Sequence, residues 1–412
     1  MSALAIHRYV TTAAICAAIA GAAHADGLGP IGGAIRETKP IFDTRLRFED
    51  VDQDGITNEA EAGTLRMRLG FETGKAWETA LLVEGDLLWQ LDSDYNSTTN
   101  GKTDYPVVAD PKTHEINRLQ LSNTSLPMTA ITLGRQRIVL DDQRFVGNVA
   151  WRQNEQTFDA VRTVNKTLPN VTVDVAYVDQ VNRVFGNDSS QGQFEGNIYL
   201  TNLAYQFPVG KLSGFGYWLD IDPIDDVPAA VRDSSETVGL RFAGERVLGR
   251  IKLAYAASYA TQRQYADNPQ RFDNSYGMFE LTGTYRQFSL GLGDEILEGD
   301  GVKGFTTPLA SLHKFQGWAD KFLVTPPNGV DDRYASAGFM LKGVGPFDTV
   351  AVQSTYHEFE AQRVSSDYGS ELDVQLQIKW RRFLAAFKYA DYDADQYLTD
   401  TTKYWMQVDY VW

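Results

Sequence analysis

Hydrophobic and polar residues alternate along most of the chain from about residue 41 onward. In the segment 64–72, Leu65, Met67 and Leu69 share one parity, while Arg66 and Arg68 share the other. Successive side chains of a β-strand point to opposite faces, so this period of two predicts strands rather than helices. The alternation recurs often enough to predict an all-β chain.

Eighteen strands account for the alternation. We place them at 41–49, 64–73, 78–91, 114–123, 129–139, 156–165, 170–180, 196–207, 211–222, 234–244, 248–261, 274–285, 287–297, 331–342, 346–360, 370–381, 383–393 and 402–412. The predicted connections alternate between short turns and long loops, and the longest loop is 298–330. Short periplasmic turns and long outer loops are typical of outer-membrane barrels. The predicted fold is a transmembrane antiparallel up-and-down β-barrel of about 18 strands.

The polar parity decides which face of the sheet meets water. A soluble sandwich also alternates, but it turns its apolar face inward. Here the polar parity repeatedly carries arginine and glutamate, as in Arg45, Arg47 and Glu49 of the first strand. That pattern is typical of a water-filled barrel whose apolar face meets lipid. The parity is irregular across 129–165, where we predict a bulge.

The first 25 residues predict an export signal. The stretch Val10 to Ala22 is small and apolar, and Ala23-His24-Ala25 forms a small-x-small cleavage site. We expect 26–40 to be a short periplasmic segment, 41–412 to form the barrel, and the protein to reside in the outer membrane of a Gram-negative bacterium. The final strand ends on Trp412, with Tyr404, Met406 and Val408 on the same parity, a pattern typical of strands that the outer-membrane assembly machinery recognises.

Composition narrows the function. The only cysteine is Cys16, inside the predicted signal, so disulfides and thiolate metal sites are excluded. The formal net charge of −16 argues against nucleic acid as a partner. The chain has no Gly-x-Ser-x-Gly motif and no histidine pair at metal-site spacing, so we expect no enzyme and no cofactor. Asp50, Asp52, Asp54 and Glu61 match a calcium-loop pattern, but predicted strands flank it, which favours an acidic outer loop.

The segment 306–324 interrupts the strand pattern. Thr307 can cap a helix, Pro308 suits its first position, and apolar residues follow at roughly helical spacing. We therefore predict a short amphipathic helix that folds into the barrel mouth or covers its rim. The residues of this loop expected to form a constriction are His313, Phe315, Trp318 and Asp320.

Several short motifs resemble the alginate-export family of outer-membrane barrels. They are Thr64-Leu-Arg-Met-Arg-Leu-Gly70, Leu133-Gly-Arg-Gln136, Asp142-Gln-Arg144 with Trp151-Arg-Gln153, and Leu312-His-Lys-Phe-Gln-Gly-Trp-Ala-Asp320. The resemblance implies an 18-stranded barrel that passes an anionic polysaccharide through an arginine-rich lumen. The arginines that would line the lumen or contact anions are Arg45, Arg47, Arg66, Arg68, Arg118, Arg135, Arg137, Arg144, Arg152 and Arg162. The chain departs from a uniformly positive pore at Glu72, Glu84 and Asp86.

Two functions remain open. The first is a passive channel, in which arginines in a narrow aqueous lumen concentrate anions and replace part of their hydration. The second is a structural or surface protein whose barrel is plugged. The expected partners are outer-membrane lipid and lipopolysaccharide, the assembly machinery through the C-terminal strand, and an anionic or neutral solute.

Overall fold

The computed structural model describes residues 29–223 and 233–412. The predicted export signal therefore lies outside the described residues. One helix, α1 (Pro30–Arg36), precedes eighteen strands. The strands are β1 (Lys39–Gln53), β2 (Ala60–Glu72), β3 (Thr79–Asp94), β4 (Thr113–Asn123), β5 (Thr129–Gln136), β6 (Thr157–Asn165), β7 (Val171–Asn182), β8 (Gln193–Phe207), β9 (Gly210–Ile221), β10 (Ser235–Leu248), β11 (Ile251–Gln264), β12 (Asp273–Tyr285), β13 (Phe288–Leu297), β14 (Val330–Val344), β15 (Phe347–Glu360), β16 (Asp367–Trp380), β17 (Phe383–Ala394) and β18 (Thr401–Val411).

Every strand pairs antiparallel with its neighbours in sequence, and β1 also pairs with β18. In that closing pair the register runs from Asp43 opposite Val411 to Gln53 opposite Thr401. The sheet therefore closes on itself and leaves no unpaired edge. The prediction of an 18-stranded up-and-down barrel is confirmed.

The two ends of the barrel differ in their connections. At the turn end, connections contain two to six residues, such as Gly249 and Arg250 between β10 and β11. Gly249 has a φ of 62°, which a residue without a Cβ adopts at little cost in so tight a turn. At the loop end, the connection between β13 and β14 spans 32 residues. The predicted alternation of short turns and long loops is confirmed.

The outer face carries the apolar parity. Leu240, Leu290 and Leu292 are 58%, 70% and 65% exposed on it. Arg66 and Arg68, by contrast, are buried on the opposite face of β2. The bulge predicted within 129–165 is wrong in its place: β5 and β6 pair in regular register, and the extra residue is Asp179 of β7, opposite Asp159 and Ala160. No helix among the described residues is long and apolar enough to cross a membrane.

The hydrophobic core lies inside the barrel. Two loops build it: loop A, residues 137–156 between β5 and β6, and loop B, residues 298–329 between β13 and β14. Phe145 of loop A packs against Phe215, Tyr276 and Phe305 at centroid distances of 4.9, 5.2 and 6.1 Å. Because these partners come from β9, β12 and loop B, loop A must lie in the lumen.

Loop B differs from its prediction. The amphipathic α-helix expected over 306–324 is absent, and one 3-10 turn, Leu312–Lys314, stands in its place. Gln316, Gly317 and Asp320 have φ values of 49°, 78° and 62°, outside the range of a right-handed helix. Backbone groups bond elsewhere instead: the Ala319 amide donates to Glu371 Oε1 at 2.7 Å. These tertiary bonds override the local helical pattern. Of the two packings left open, the buried residues Leu309, Ala319 and Phe322 place the loop inside the barrel rather than over its rim.

Candidate functional site: the lumen constriction

Loops A and B are joined across the lumen by Arg144. Its Nε donates to Glu295 Oε1 of β13 at 2.7 Å, and its two Nη atoms donate to Thr307 and Gln316 of loop B at 3.1 Å each. Tyr276 donates to the same Glu295 oxygen at 2.7 Å. The three hydrogen bonds donated by the Arg144 guanidinium group are all buried. Arg144 therefore fixes one loop against the other.

A second arginine of loop A makes the matching contact on the opposite side. Arg152 Nη1 lies 3.2 Å from Glu49 Oε2 of β1, and Nη2 lies 3.1 Å from Asp320 Oδ2 of loop B. Nζ of Lys403 on β18 also lies 3.1 Å from Asp320 Oδ2. The carboxylate of Asp320 thus ties loop B both to loop A and to the barrel wall.

His313, Asp320 and Lys388 form what we call the anchor of loop B. His313 Nδ1 is 2.8 Å from Asp320 Oδ1, and Lys388 Nζ is 2.8 Å from His313 Nε2. The Lys388 ammonium also lies 3.9 Å from the ring centre of Trp151 and 3.7 Å from that of Trp318. Aromatic faces attract a cation, most strongly where water is excluded. The anchor therefore holds a buried charge between two loops.

The protonation of the anchor follows from these bonds. Lys388 can only donate, so His313 Nε2 must accept, which leaves the proton on Nδ1 to be donated to Asp320. Burial lowers the pKa of His313 to about 3, and Lys388 acts in the same direction while Asp320 opposes it. Burial alone would raise the pKa of Asp320, but His313, Lys403 and Arg152 hold it well below its ordinary value. With Lys388 protonated, the anchor is therefore a neutral imidazole between an ammonium and a carboxylate.

Acidification is expected to loosen loop B. A released His313 binds a proton near its ordinary pKa of 6.5, whereas the docked imidazole does not until about pH 3. The depressed pKa means that docking is strongest above 6.5 and weakens as the pH falls from 6.5 towards 3. At pH 4.5 the loss is about 3 kcal/mol. Single-channel recordings should show more frequent open excursions at pH 4.5 than at pH 7.

The variant His313→Asn provides the control for this prediction. Its amide can still donate to Asp320, but it does not titrate. The difference between the two pH values should shrink in the variant. Equal pH sensitivity in both proteins would assign the effect to other groups, such as surface carboxylates.

Loop B rests on an acidic wall formed by β14, β15 and β16. Glu371 and Asp373 are 0% and 1% exposed, and Asp332 is 1% exposed. His357 Nδ1 lies 2.8 Å from Asp332 Oδ1 and its Nε2 lies 3.8 Å from Asp373 Oδ2. Glu371 accepts the Ala319 amide of loop B. This wall holds the loop by its backbone, opposite the basic side of the lumen.

The basic side of the lumen spans β1 to β6. Its arginines alternate with carboxylates on adjacent strands or loop A. The pairs are Arg45–Asp409 at 2.7 Å, Arg68–Asp86 at 2.6 Å, Arg118–Glu84 at 2.6 Å and Arg162–Asp174 at 2.5 Å, together with Arg66–Asp43 and Arg137–Glu155. Arg135 and Asp159 form a pair at 2.8 Å on the outward parity of β5 and β6. The repulsion expected among neighbouring guanidinium groups is thus offset pair by pair.

The structure divides the ten sequence-predicted arginines into two groups. The guanidinium groups of the first are buried among loops A and B and the barrel wall: Arg47, Arg66, Arg68, Arg144 and Arg152. The second group is partly exposed, with side-chain exposures of 13% for Arg45, 16% for Arg118, 21% for Arg135, 29% for Arg137 and 20% for Arg162. Arg135 stands opposite the exposed Leu119 on the outward parity of β5, so only the other four members of this group face the lumen.

The predicted acidic and constriction residues are also distributed unevenly. Glu84 and Asp86 are buried partners of the basic side, while Glu72 is exposed at the turn end of β2. The predicted constriction residues of loop B lie where loops A and B meet. Phe315 lies under Arg144, whose Cζ is 4.8 Å from the ring centre, and Trp318 contacts Lys388.

The weak calcium candidate is not assembled. β1 continues to Gln53, and Asp50 stands opposite Glu61 in a regular antiparallel register. The remaining connection of six residues is too short for a twelve-residue calcium loop. Across 29–223 and 233–412, no three histidine, cysteine or acidic side chains are grouped to hold a metal ion.

Sequence reasoning missed several residues of the constriction. Lys388, Trp405 and Glu371 all lie on the inward parity of their strands, so the alternation contained a signal for their orientation. Ala386 and Ala390 flank Lys388 on that parity, so it is a charged side chain between two small ones. Their contacts with loop B had no signal in the sequence.

The sequence matches no family model and no curated protein. Its structure is similar to solved porin barrels. OccAB4 of Acinetobacter baumannii superposes with a TM-score of 0.70 at 14% identity, over 91% of this chain and 98% of that one. OccK9 (OpdG) of Pseudomonas aeruginosa gives 0.68 at 13% identity, over 92% and 99% of the two chains. OpdK of Pseudomonas aeruginosa, solved with vanillate, gives 0.64 at 13% identity, over 91% and 98%.

At identities this low, the comparisons establish the fold class alone. The chain has a closed 18-stranded antiparallel barrel of the kind found in outer-membrane porins. The barrel that the alginate-export resemblance implied is thereby confirmed. Membership of that particular family stays a prediction, because the solved structures named above are porins of another kind.

Proposed function

We propose that the protein is a passive outer-membrane channel for small anionic solutes. The observation that supports this most directly is the pair of partly exposed guanidinium groups on β4 and β6, namely Arg118 and Arg162. They lie on the inner face of a closed barrel, where cations raise the local concentration of anions.

The ion pairs fix the orientation of these guanidinium groups and leave part of each group available to an anion. Arg118 binds both Glu84 oxygens through Nε and Nη2, and Arg162 binds both Asp174 oxygens in the same way. A guanidinium group has five N–H donors in a fixed plane. No hydrogen bond from Nη1 of either arginine is formed within the described part of the chain. Each carboxylate thus holds its arginine still, with a donor edge left for a passing anion.

The folded loops favour small solutes over a polymer. Loops A and B meet inside the barrel and are joined by Arg144 and Arg152, so they narrow the path at the loop end. OpdK, which shares the fold, was solved with vanillate, a small aromatic carboxylate. We propose the same class of solute here, with alginate oligomers as the competing cargo. Liposome swelling with vanillate and with an alginate oligomer separates the two, and faster entry of the oligomer would favour polysaccharide transport.

A plugged structural barrel is the second candidate. The aromatic clusters inside the lumen favour it, because Phe322 of loop B packs against Phe359 and Tyr397 at 4.5 and 5.5 Å. Such packing is what a permanent plug requires. Planar bilayer recordings distinguish the two: an absence of conductance above background under all voltages would favour the plug.

The proposed channel implies a location and an orientation. We propose that the barrel spans the outer membrane of a Gram-negative bacterium, with the turn end in the periplasm and the loop end outside, the usual arrangement of such barrels. Trp412 extends the C-terminal strand, and its amide donates to the Phe42 carbonyl at 3.0 Å across the closing seam. We propose this end as the segment that the assembly machinery recognises.

Replacing Arg162 with glutamine is expected to shift ion selectivity towards cations. The change removes a partly exposed cation and leaves Asp174 without its partner. At an effective dielectric of about 20 to 80, each charge acts on an ion at ~4 Å with roughly 1 to 4 kcal/mol, enough to move a reversal potential. The measurement is the reversal potential in a salt gradient across a planar bilayer.

The opposite variant is the matched control. Changing Asp174 to asparagine should move the reversal potential towards anions, while Arg263→Gln, at the exposed loop end, should leave it in place. Shifts of the same sign in the Arg162 and Asp174 variants would show that the changes disturb the barrel rather than its field.

A further inference from the structure

The turn end of the barrel is basic, although the whole chain has a net charge of −16. The eight turns contain six basic residues and one acidic residue. They are Lys75, Lys166, Arg250, Arg286, Arg381 and Arg382, against Glu78. Glu78 is already paired with Lys75 at 3.3 Å. The acidic excess of the chain therefore lies elsewhere, and the turn end presents a positive rim.

The arginines of this rim differ from those of the lumen. Each lumen arginine of the basic side has a carboxylate partner. Arg250, Arg286, Arg381 and Arg382 are all exposed, and none of their guanidinium groups has a carboxylate within ion-pair distance among the described residues, although Asp348 accepts from the Arg381 backbone amide at 2.7 Å. Unpaired guanidinium groups attract anions more strongly than paired ones, since no internal charge offsets them.

Three of these arginines lie over aromatic rings at the edge of the apolar band. The Cζ of Arg286 is 5.3 Å from the Tyr285 ring centre, that of Arg381 is 5.6 Å from Trp380, and that of Arg382 is 4.3 Å from Trp412. Trp380 is 41% and Trp412 65% exposed, so the rings are open to the surroundings of the barrel. Aromatic residues at this level mark the boundary between lipid tails and headgroups.

We infer that this rim binds the phosphate headgroups of anionic phospholipids in the leaflet at the turn end. The inference rests on the proposed membrane location. A headgroup phosphate there would meet a guanidinium group held over an aromatic ring, while its acyl chains pack on the adjacent apolar face. Exposed apolar side chains directly beside the turns, such as Phe288 at 59% and Leu248 at 61%, supply that face.

A lipid fits these observations better than a periplasmic protein. The arginines are spread over the β10–β11, β12–β13 and β16–β17 turns, around half of the circumference, rather than gathered into one patch. A single docked protein needs a compact interface with a buried centre. A ring of separate sites at a constant level, each beside an exposed aromatic residue, matches a layer of headgroups.

Native mass spectrometry of the detergent-solubilised, folded barrel tests this inference. The probes are phosphatidylglycerol and phosphatidylcholine with the same acyl chains. The unchanged protein should retain phosphatidylglycerol in preference. In the variant with Arg286, Arg381 and Arg382 changed to glutamine, binding of phosphatidylglycerol should weaken roughly fivefold for each arginine removed, on the order of a hundredfold in total at low ionic strength.

The matched control removes three exposed arginines from the loop end, Arg263, Arg271 and Arg333, and should retain the preference. Equal retention of the two lipids by the unchanged protein would overturn the inference, and so would a turn-end variant that keeps the preference. Soluble glycerol phosphate binding as tightly as the lipid would also contradict it, because the acyl chains would then contribute nothing. Bilayer conductance is read separately: a barrel that conducts without preferring phosphatidylglycerol refutes only the lipid inference, and one that prefers it without conducting refutes only the channel.

Discussion

Removing residues 305–325 and joining Gly304 to Pro326 is expected to raise the single-channel conductance several-fold. The deleted part of loop B carries Phe322 and the His313–Asp320 contact, which fill the lumen beside loop A. Conductance depends on the narrowest cross-section of the path. Removing loop B from this region should widen that cross-section and so raise the conductance. Selectivity should weaken in parallel, because ions would pass farther from the basic side.

The two ends of the deleted segment lie next to each other. A Cβ placed on Gly304 would lie only 2.6 Å from the Pro326 carbonyl oxygen, so the two cut points already adjoin. The barrel should keep its heat-modifiable migration on gels, which reports that it remains folded. An unchanged conductance in a folded deletion variant would show that the limiting constriction lies outside loop B.

Replacing Asp320 with asparagine is expected to cause the largest loss of stability of any single change considered. The carboxylate accepts from His313 and lies 3.1 Å from both Arg152 and Lys403. Removing its charge leaves two buried cations with too few anions. Breaking a buried ion pair by deleting one partner costs about 3–5 kcal/mol. The midpoint of heat-modifiable migration should fall, and loop B should open more often in bilayer recordings.

Two further variants separate charge from packing in this prediction. Asp188→Asn, at an exposed loop position, should leave the midpoint unchanged. The double variant with Asp320→Asn and Lys403→Met should lose less than the sum of its single changes, because the second change removes a cation that the first left unpaired. Strict additivity would mean that Asp320 and Lys403 do not depend on each other.

The sequence by itself predicted the barrel because alternation is a local property. Each strand records which side chains face lipid and which face the interior, so Leu65 and Arg66 reveal the faces of β2 without reference to any other strand. The lengths of the connections, also a local property, distinguish the turn end of the barrel from the loop end. Strand number, fold class and the inward orientation of the arginines on β1 and β2 therefore followed from the chain alone.

Only the tertiary structure decided which carboxylates those arginines pair with. Arg152 and Glu49 are 103 residues apart in the chain, and Arg152 and Asp320 are 168 apart. No periodic pattern relates positions so distant. Parity showed that Arg45 and Arg66 face inward, but their carboxylate partners depend on the register between strands, which closure of the barrel sets.

Loop B shows the same limit for backbone conformation. Its apolar residues recur at roughly helical spacing, which predicted a helix, yet Gln316 and Asp320 adopt positive φ values and Ala319 donates to Glu371 on β16. Inside a closed barrel, the surrounding wall offers bonds to every part of the loop, and their combined strength exceeds the weak local preference for a helix. The sequence determined that this segment would pack against the barrel, and the shape and charges of the lumen determined how.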